Sequence, residues 1–385
     1  MWRALLLGLA LWVGSSAALA SGAPPQSDFT DAMTAVLAKD PAQAERLAAA
    51  EATELIQRRY RSRNARLAAA YWVQAQAAFR LGKIDQTKTI LEQASASTPA
   101  GDAGRRLRAQ VQLLRGLIAR SDGDFGNALQ HYRQAQSGFI AVHDSRGHAL
   151  SLQALGALYA DVGDGNSAIR YLSLAEESYS GDEYFRLSLY NNFGVALQQA
   201  DRHVESETRF IEALRIADQL GIDSFRTLIR LNIAVSDIEL SKIDRAAAML
   251  ALVGDPSSIT NVQLRMRALR LSALIAMQRG RTGEAKRQIR QALSLLDPAN
   301  PLSEDRQVHF TAYRIYEALG DHRTALDHLE VVRRLDAASE QLIASNRAAL
   351  LAAQFQFAAQ DMRITQLKAD KLERDVAFER SRAQF

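Results

Sequence analysis

The 385-residue chain is 48% hydrophobic and 23% charged, the composition of an ordinary folded protein rather than of a disordered or collagen-like one. Its 47 Lys+Arg against 43 Asp+Glu leave a net charge of +4, too even a balance for a dedicated nucleic-acid binder. Cysteine is absent, which excludes disulfides, thiolate nucleophiles, Cys-ligated zinc and iron–sulfur clusters.

Arg3, the apolar stretch Ala4 to Val13 and the small-residue site Ala18-Leu19-Ala20 read as a secretory signal peptide over residues 1–20, cut after Ala20. The expected location is therefore periplasmic or secreted. No later stretch stays apolar for the roughly 18 residues that a membrane span needs. Residues 21–66 read as a helical cap, with Asp28 or Thr30 at its start and Asp40-Pro41 as its turn.

From Gly82 onward one pattern recurs. Asp122-Gly123-Asp124-Phe125 is followed by Ala128, Tyr132 and Ala135: a tight turn, a small residue, a large one, a small one. The spacing returns at Gly163 with Ala168, Leu172 and Ala175, and at Asp201 with Ser206, Phe210 and Ala213. Further copies are Ser241 with Ala246, Leu250 and Val253, Gly280 with Ala285, Ile289 and Ala292, and Gly320 with Ala325, Leu329 and Val332. Gly82, with Thr87, Leu91 and Ala94, is a weaker one. Upstream of four turns stand Gly116, Gly156, Gly194 and Ala234, 38 to 40 residues apart. Each unit predicts two helices of about 12–16 residues around one turn. A small residue lets two helices approach, and the bulky residue on the facing helix fills the space beside it. No unit can bury its apolar face alone, so each must stack on its neighbours.

Gly116, Ala128 and Ala135 around Gly123-Asp124-Phe125 resemble the small-residue signature of the tetratricopeptide repeat (TPR) family, and Gly156, Ala168 and Ala175 repeat it. The resemblance spans Leu67 to Leu335, about seven units. It implies an all-α fold, a right-handed TPR-like α-solenoid of helical hairpins over 67–335. The period of 38 to 41 exceeds the 34 of the common form, which implies longer helices or longer connections. Val142 to Ser145 and Ser178 to Asp182 are expected to hold the extra residues. HEAT and armadillo repeats share a period near forty. They rank second, because the Gly-Asp turn and the Ala spacing belong to TPR.

Residues 336–385 contain no Gly and no Pro and read as one long, charged helix. Its apolar positions, including Leu350, Phe355, Met362, Leu367 and Leu372, are irregular for heptads but offer a coiled-coil, homodimer or signalling contact. A helix without a stacked neighbour needs a partner. The segment is similar to the linker after periplasmic TPR arrays in bacterial sensors, where a transmembrane span and a histidine kinase or GGDEF diguanylate cyclase follow.

No P-loop, G-x-S-x-G or H-E-x-x-H motif occurs, so no catalytic residue, metal site or cofactor is expected. His143 and His148 flank Asp144 at a spacing unsuited to shared ligation, and His322 falls where other copies carry Phe125 or Ile243, a packing position. Asp161 to Asn166 lacks the geometry of a calcium loop. The basic run Arg58 to Arg63 reads as a solvated helix end, with no nucleic acid implied. In solenoids the first helix of each unit lines the groove. Asn192 and Asn232 share a register there, two residues before Gly194 and Ala234. In TPR proteins an Asn at this place grips the backbone of an extended peptide; the competing reading is an Asn that satisfies a neighbouring helix. Arg267 and Arg270 lie three apart on one face, within a stretch from Asn261 to Asn300 that holds eight basic and two acidic residues. The expectation is a non-catalytic, exported scaffold that binds a protein or peptide, one with an acidic or free C-terminal carboxylate. The alternative is a sensor input region without its span and output domain. Asp237 stands where Tyr159 and Leu197 pack in other units, so if buried it needs an Arg partner or a raised pKa.

Overall fold

The computed structural model describes residues 25–58, 63–297 and 304–382. The leader and the centre of the basic run, 59–62, lie outside them. Two helices, α1 (Pro25–Lys39) and α2 (Pro41–Arg58), form a hairpin at Asp40. Seven hairpins follow: α3 (Arg63–Arg80) with α4 (Ile84–Ser97), α5 (Arg105–Ser121) with α6 (Phe125–Ala141), α7 (Ser145–Asp161) with α8 (Gly165–Ser178), and α9 (Glu183–Gln199) with α10 (His203–Leu220). Then come α11 (Asp223–Glu239) with α12 (Ile243–Val253), α13 (Val262–Gln278) with α14 (Thr282–Leu293), and α15 (Asp305–Ala318) with the start of α16 (His322–Arg382). No strand occurs among the described residues, and no described helix is long and apolar enough to cross a membrane.

The small residues do what their spacing implies. A Cβ at Gly116 would stand 2.4 Å from the Tyr132 ring, one at Gly194 2.5 Å from Phe210, and one at Gly156 2.8 Å from Leu172. Each glycine on a first helix thus receives the bulky side chain of its own second helix. The turn between them is left-handed at one residue, Gly123 (φ 79°) or Gly163 (φ 72°), with Asp201 (φ 57°) and Ser241 (φ 58°) in the two middle units. Asp124 and Asp164 then cap α6 and α8, accepting from the amides of Asn127 and Ser167.

The long period lies in long first helices and, after α4, α12 and α14, in long connections. The first helices α5, α7, α9, α11 and α13 each run 17 residues. The expected insertion around His143 is a tight turn in which His143 adopts φ 53°, and Asp144 caps α7. His322 is exposed at the start of α16 rather than packed. The preceding Asp321 accepts from the Thr324 amide and opens the helix, and the imidazole at the first helical position stays in solvent.

The first helices are hidden on most sides. α7 buries thirteen residues from Arg146 to Tyr159, whereas α8 buries only Ala168, Leu172 and Ala175. The apolar core runs without a break from Met33 on α1 to Ile233 on α11. Beyond α11 it divides into a cluster on α11–α13 and another on α13–α16. The half-buried Met249 and Met277 bridge these segments.

The long C-terminal helix does find a neighbour, within the chain itself. Past Asp336, α16 leaves the last unit and reaches back to α6 and α7. Leu350 joins the main core, and Arg347 donates to the Val162 carbonyl (2.8 Å).

Candidate functional site

The site is built on the first helices, where ion pairs and amide contacts run alongside the apolar packing between units. Arg106 donates to Asp144 (2.7 Å) and Arg146 to Asp182 (2.7 Å). Asp144 and Asp182 are the N-caps of α7 and α9, so each arginine grips the cap of the next first helix. At the opposite end Arg120 holds Asp161 in a buried pair (Nη2–Oδ1 2.9 Å). In sequence Arg106 and Arg146 belong to a series at forty-residue intervals with Arg66, Arg186, Arg226 and, after a gap, Arg306, although Arg186 and Arg226 pair with the nearby Glu183 and Asp223 instead. That series was the available signal for the inter-unit clamps. A search centred on small residues passes over it, because the arginines lie outside the apolar stripe.

The gap falls at Met266, and there the layer changes character. Met266 is fully buried, and Arg267 beside it reaches Glu304, which opens α15 (Nε–Oε1 2.7 Å). The other arm of Arg267 donates to the Asn232 side-chain oxygen on α11 (2.8 Å). Asn232 in turn donates to Asn191 on α9 (3.2 Å), and Asn191 lies 3.5 Å from the Asn192 oxygen. Arg270 completes the relay with Nε 3.4 Å from Glu304. One polar line therefore crosses α9, α11, α13 and the start of α15, where the apolar core is segmented.

All four sequence-predicted residues lie on this line, though not as imagined. Asn232 is buried with both ends of its amide engaged inside the chain. Its neighbour across the seam is Asn191, not Asn192, because adjacent first helices are offset by one register step. Asn192 stays half-buried, and its Nδ2 is a buried donor with no partner. Arg267 and Arg270 do converge on a carboxylate, but it is the chain's own Glu304. Burial alone would raise the Glu304 carboxyl; the two guanidinium charges outweigh it and hold it below the usual range. Burial lowers the Arg270 pKa against the pull of Glu304. The basic excess of 261–300 is met in the same way, with Arg279 on Asp244 (2.5 Å) and Arg281 on Glu284 (2.8 Å).

Asp237 is fully buried, as its register suggested, and Arg245 stands 3.5 Å away. Neither carboxylate oxygen has a hydrogen bond, and burial pushes its pKa up. His309 and His328 face each other across the last hairpin, Nδ1 to Nδ1 3.0 Å. Among the described residues no group of three or more His, Cys, Asp or Glu is placed to hold a metal.

No family model matches the sequence, and no curated protein matches it. Solved structures do resemble it in shape. The apo form of RapI shares 13% identity at a TM-score of 0.57, covering 87% of this chain and 98% of its own. A Rap protein complexed with competence and sporulation factor gives 14% and 0.56 over 87% and 99%. NprR in complex with its cognate peptide NprX gives 16% and 0.55 over 75% and 84%. At such identities the likeness is one of fold, and the fold is an all-α, TPR-like solenoid.

Proposed function

We propose that the chain is a non-catalytic scaffold, exported from the cytoplasm, that takes an extended peptide or protein segment along its first helices at the α9–α15 seam. The observation that carries this is Asn192: a buried amide donor without a partner, at the end of a polar relay in which Asn232 and Arg267 are hydrogen-bonded on both sides. A buried donor left unpaired costs about 1–3 kcal/mol, which a ligand carbonyl placed there recovers. The peptide carried by NprR supports the reading by analogy of fold. Glu304 already neutralises much of the arginine pair, so backbone contacts outweigh ligand acidity in this reading.

The test is selection of a displayed peptide library on the whole mature chain, followed by titration of the selected peptide. Asn192→Ala weakens binding about tenfold, the equivalent of about 1.4 kcal/mol, with the melting temperature unchanged. Peptides that bind the variant and the parent equally remove the assignment. A second reading is the input region of a membrane histidine kinase or diguanylate cyclase, favoured by the 61 residues of α16. An in-frame apolar span with kinase or cyclase motifs downstream of Phe385 in the gene supports it; a stop codon there discards it.

A further inference from the structure

The helix beyond Asp336 carries one inward face. Leu335, Ser339, Leu342, Asn346, Leu350 and Ala353 recur at three- and four-residue steps, and Asn346 and Leu350 are buried. The intervening positions are mostly exposed, Leu351 and Phe355 among them. This face lands on the turn edge of the second and third hairpins. Arg347 donates to the Val162 carbonyl at the C-terminus of α7, where a cation complements the helix end. Gln354 donates to the Tyr159 hydroxyl, and the Ala349 carbonyl lies beside Gly126 at the start of α6. The chain positions joined are 185 and 195 residues apart.

Such closure is foreign to an ordinary repeat array, in which each unit touches only its neighbours. It matters here because of what lies between the joined parts. Units α13–α14 and α15–α16 share an apolar cluster separate from the main core, and they join the earlier units through a smaller cluster on α11–α13 that the polar line of Asn232, Arg267 and Glu304 crosses. The array is held at this point by a small cluster outside the main core and by polar contacts, and a turn between the two parts falls there. The tie across this point is the buried Leu350 and Asn346, the half-buried Ala353 and two hydrogen bonds.

We propose that the segment Asp336–Gln354 of α16 is a releasable strap. Docked on α6 and α7, it fixes the angle of the last two units against the first five; undocked, it lets them turn on the seam. Release uncovers Leu350 beside Leu351 and Phe355, so the freed helix end presents an apolar strip. The proposal stands independently of what the groove binds.

The test exploits the absence of cysteine. Spin labels at Asn166→Cys on α8 and Glu330→Cys on α16, both exposed, are introduced into the whole chain, and their separation is measured by pulsed electron resonance. The parent gives one narrow distance. Leu350→Asp with Gln354→Ala broadens and lengthens it while far-ultraviolet circular dichroism keeps its helix content. Arg347→Ala, which removes the hydrogen bond to the Val162 carbonyl and leaves Leu350 in place, gives a smaller change in the same direction and guards against misfolding of the first variant. An unchanged distance in both variants overturns the proposal. So does a parent that already shows a broad distribution.

Discussion

At Gly194 the whole architecture depends on a missing methyl group. A Cβ there meets the Phe210 ring at 2.5 Å, inside any real contact. Gly194→Ala therefore forces a ring or helix shift and destabilises by about 1–3 kcal/mol in urea denaturation. Gly283→Ala on α14 is the control: nothing lies within 4 Å of its Cβ, so ordinary helix propensity applies and the change stabilises by about 0.5–1 kcal/mol. The histidine pair sets a pH limit. Burial, then the facing His328 and Arg334, lowers His309 to about 4. Tyr316, packed on His328 under the Lys286 ammonium, and Asp327 complete the charged surroundings. The unfolded chain binds the proton near 6.5 and the folded chain only near 4, so folding stability falls as pH drops through that window and levels below it. His309→Gln flattens this dependence in melts taken between pH 7 and 4. The small-residue positions were legible in the sequence because sterics repeat with the period. Asn191 was not: its role depends on the offset between adjacent helices, which no spacing within one helix encodes.

Turns and inter-unit clamps belong to the scale of the element. Five of the hairpin turns place glycine in the left-handed region, while Asp201 and Ser241 hold it with a side chain. Ser241→Gly removes that strain and raises stability by about 1 kcal/mol, read as a shift in denaturation midpoint. Arg120→Ala strands the Asp161 carboxylate in a mostly buried site and costs about 3–5 kcal/mol, whereas Arg66→Ala, in a more exposed pair with Glu51, costs under about 1 kcal/mol. The helices themselves were readable from periodicity. The extra length was expected in longer helices or longer connections, and both occur: the first helices α5, α7, α9, α11 and α13 run 17 residues, and the connections after α4, α12 and α14 are long, because a pattern of small residues marks where helices touch and not where they end. The pairing of Arg267 with Glu304 escaped the reading for a related reason. Glu304 lies across an inter-unit connection, so the arginines seemed to await an outside carboxylate.

For the whole molecule, the apolar core is continuous from α1 to α11 and divided into smaller clusters beyond, and the polar relay runs from the end of the first part into the second. The account places ligand recognition on that boundary. The most direct measurement installs a photo-crosslinking benzoylphenylalanine at Asn192 in the intact chain, with Ile140 on the exposed side of α6 as the comparison, and recovers what each captures from a peptide library. The account predicts peptide adducts at position 192 and none above background at 140. Equal capture at both positions, or capture at 140 alone, contradicts it.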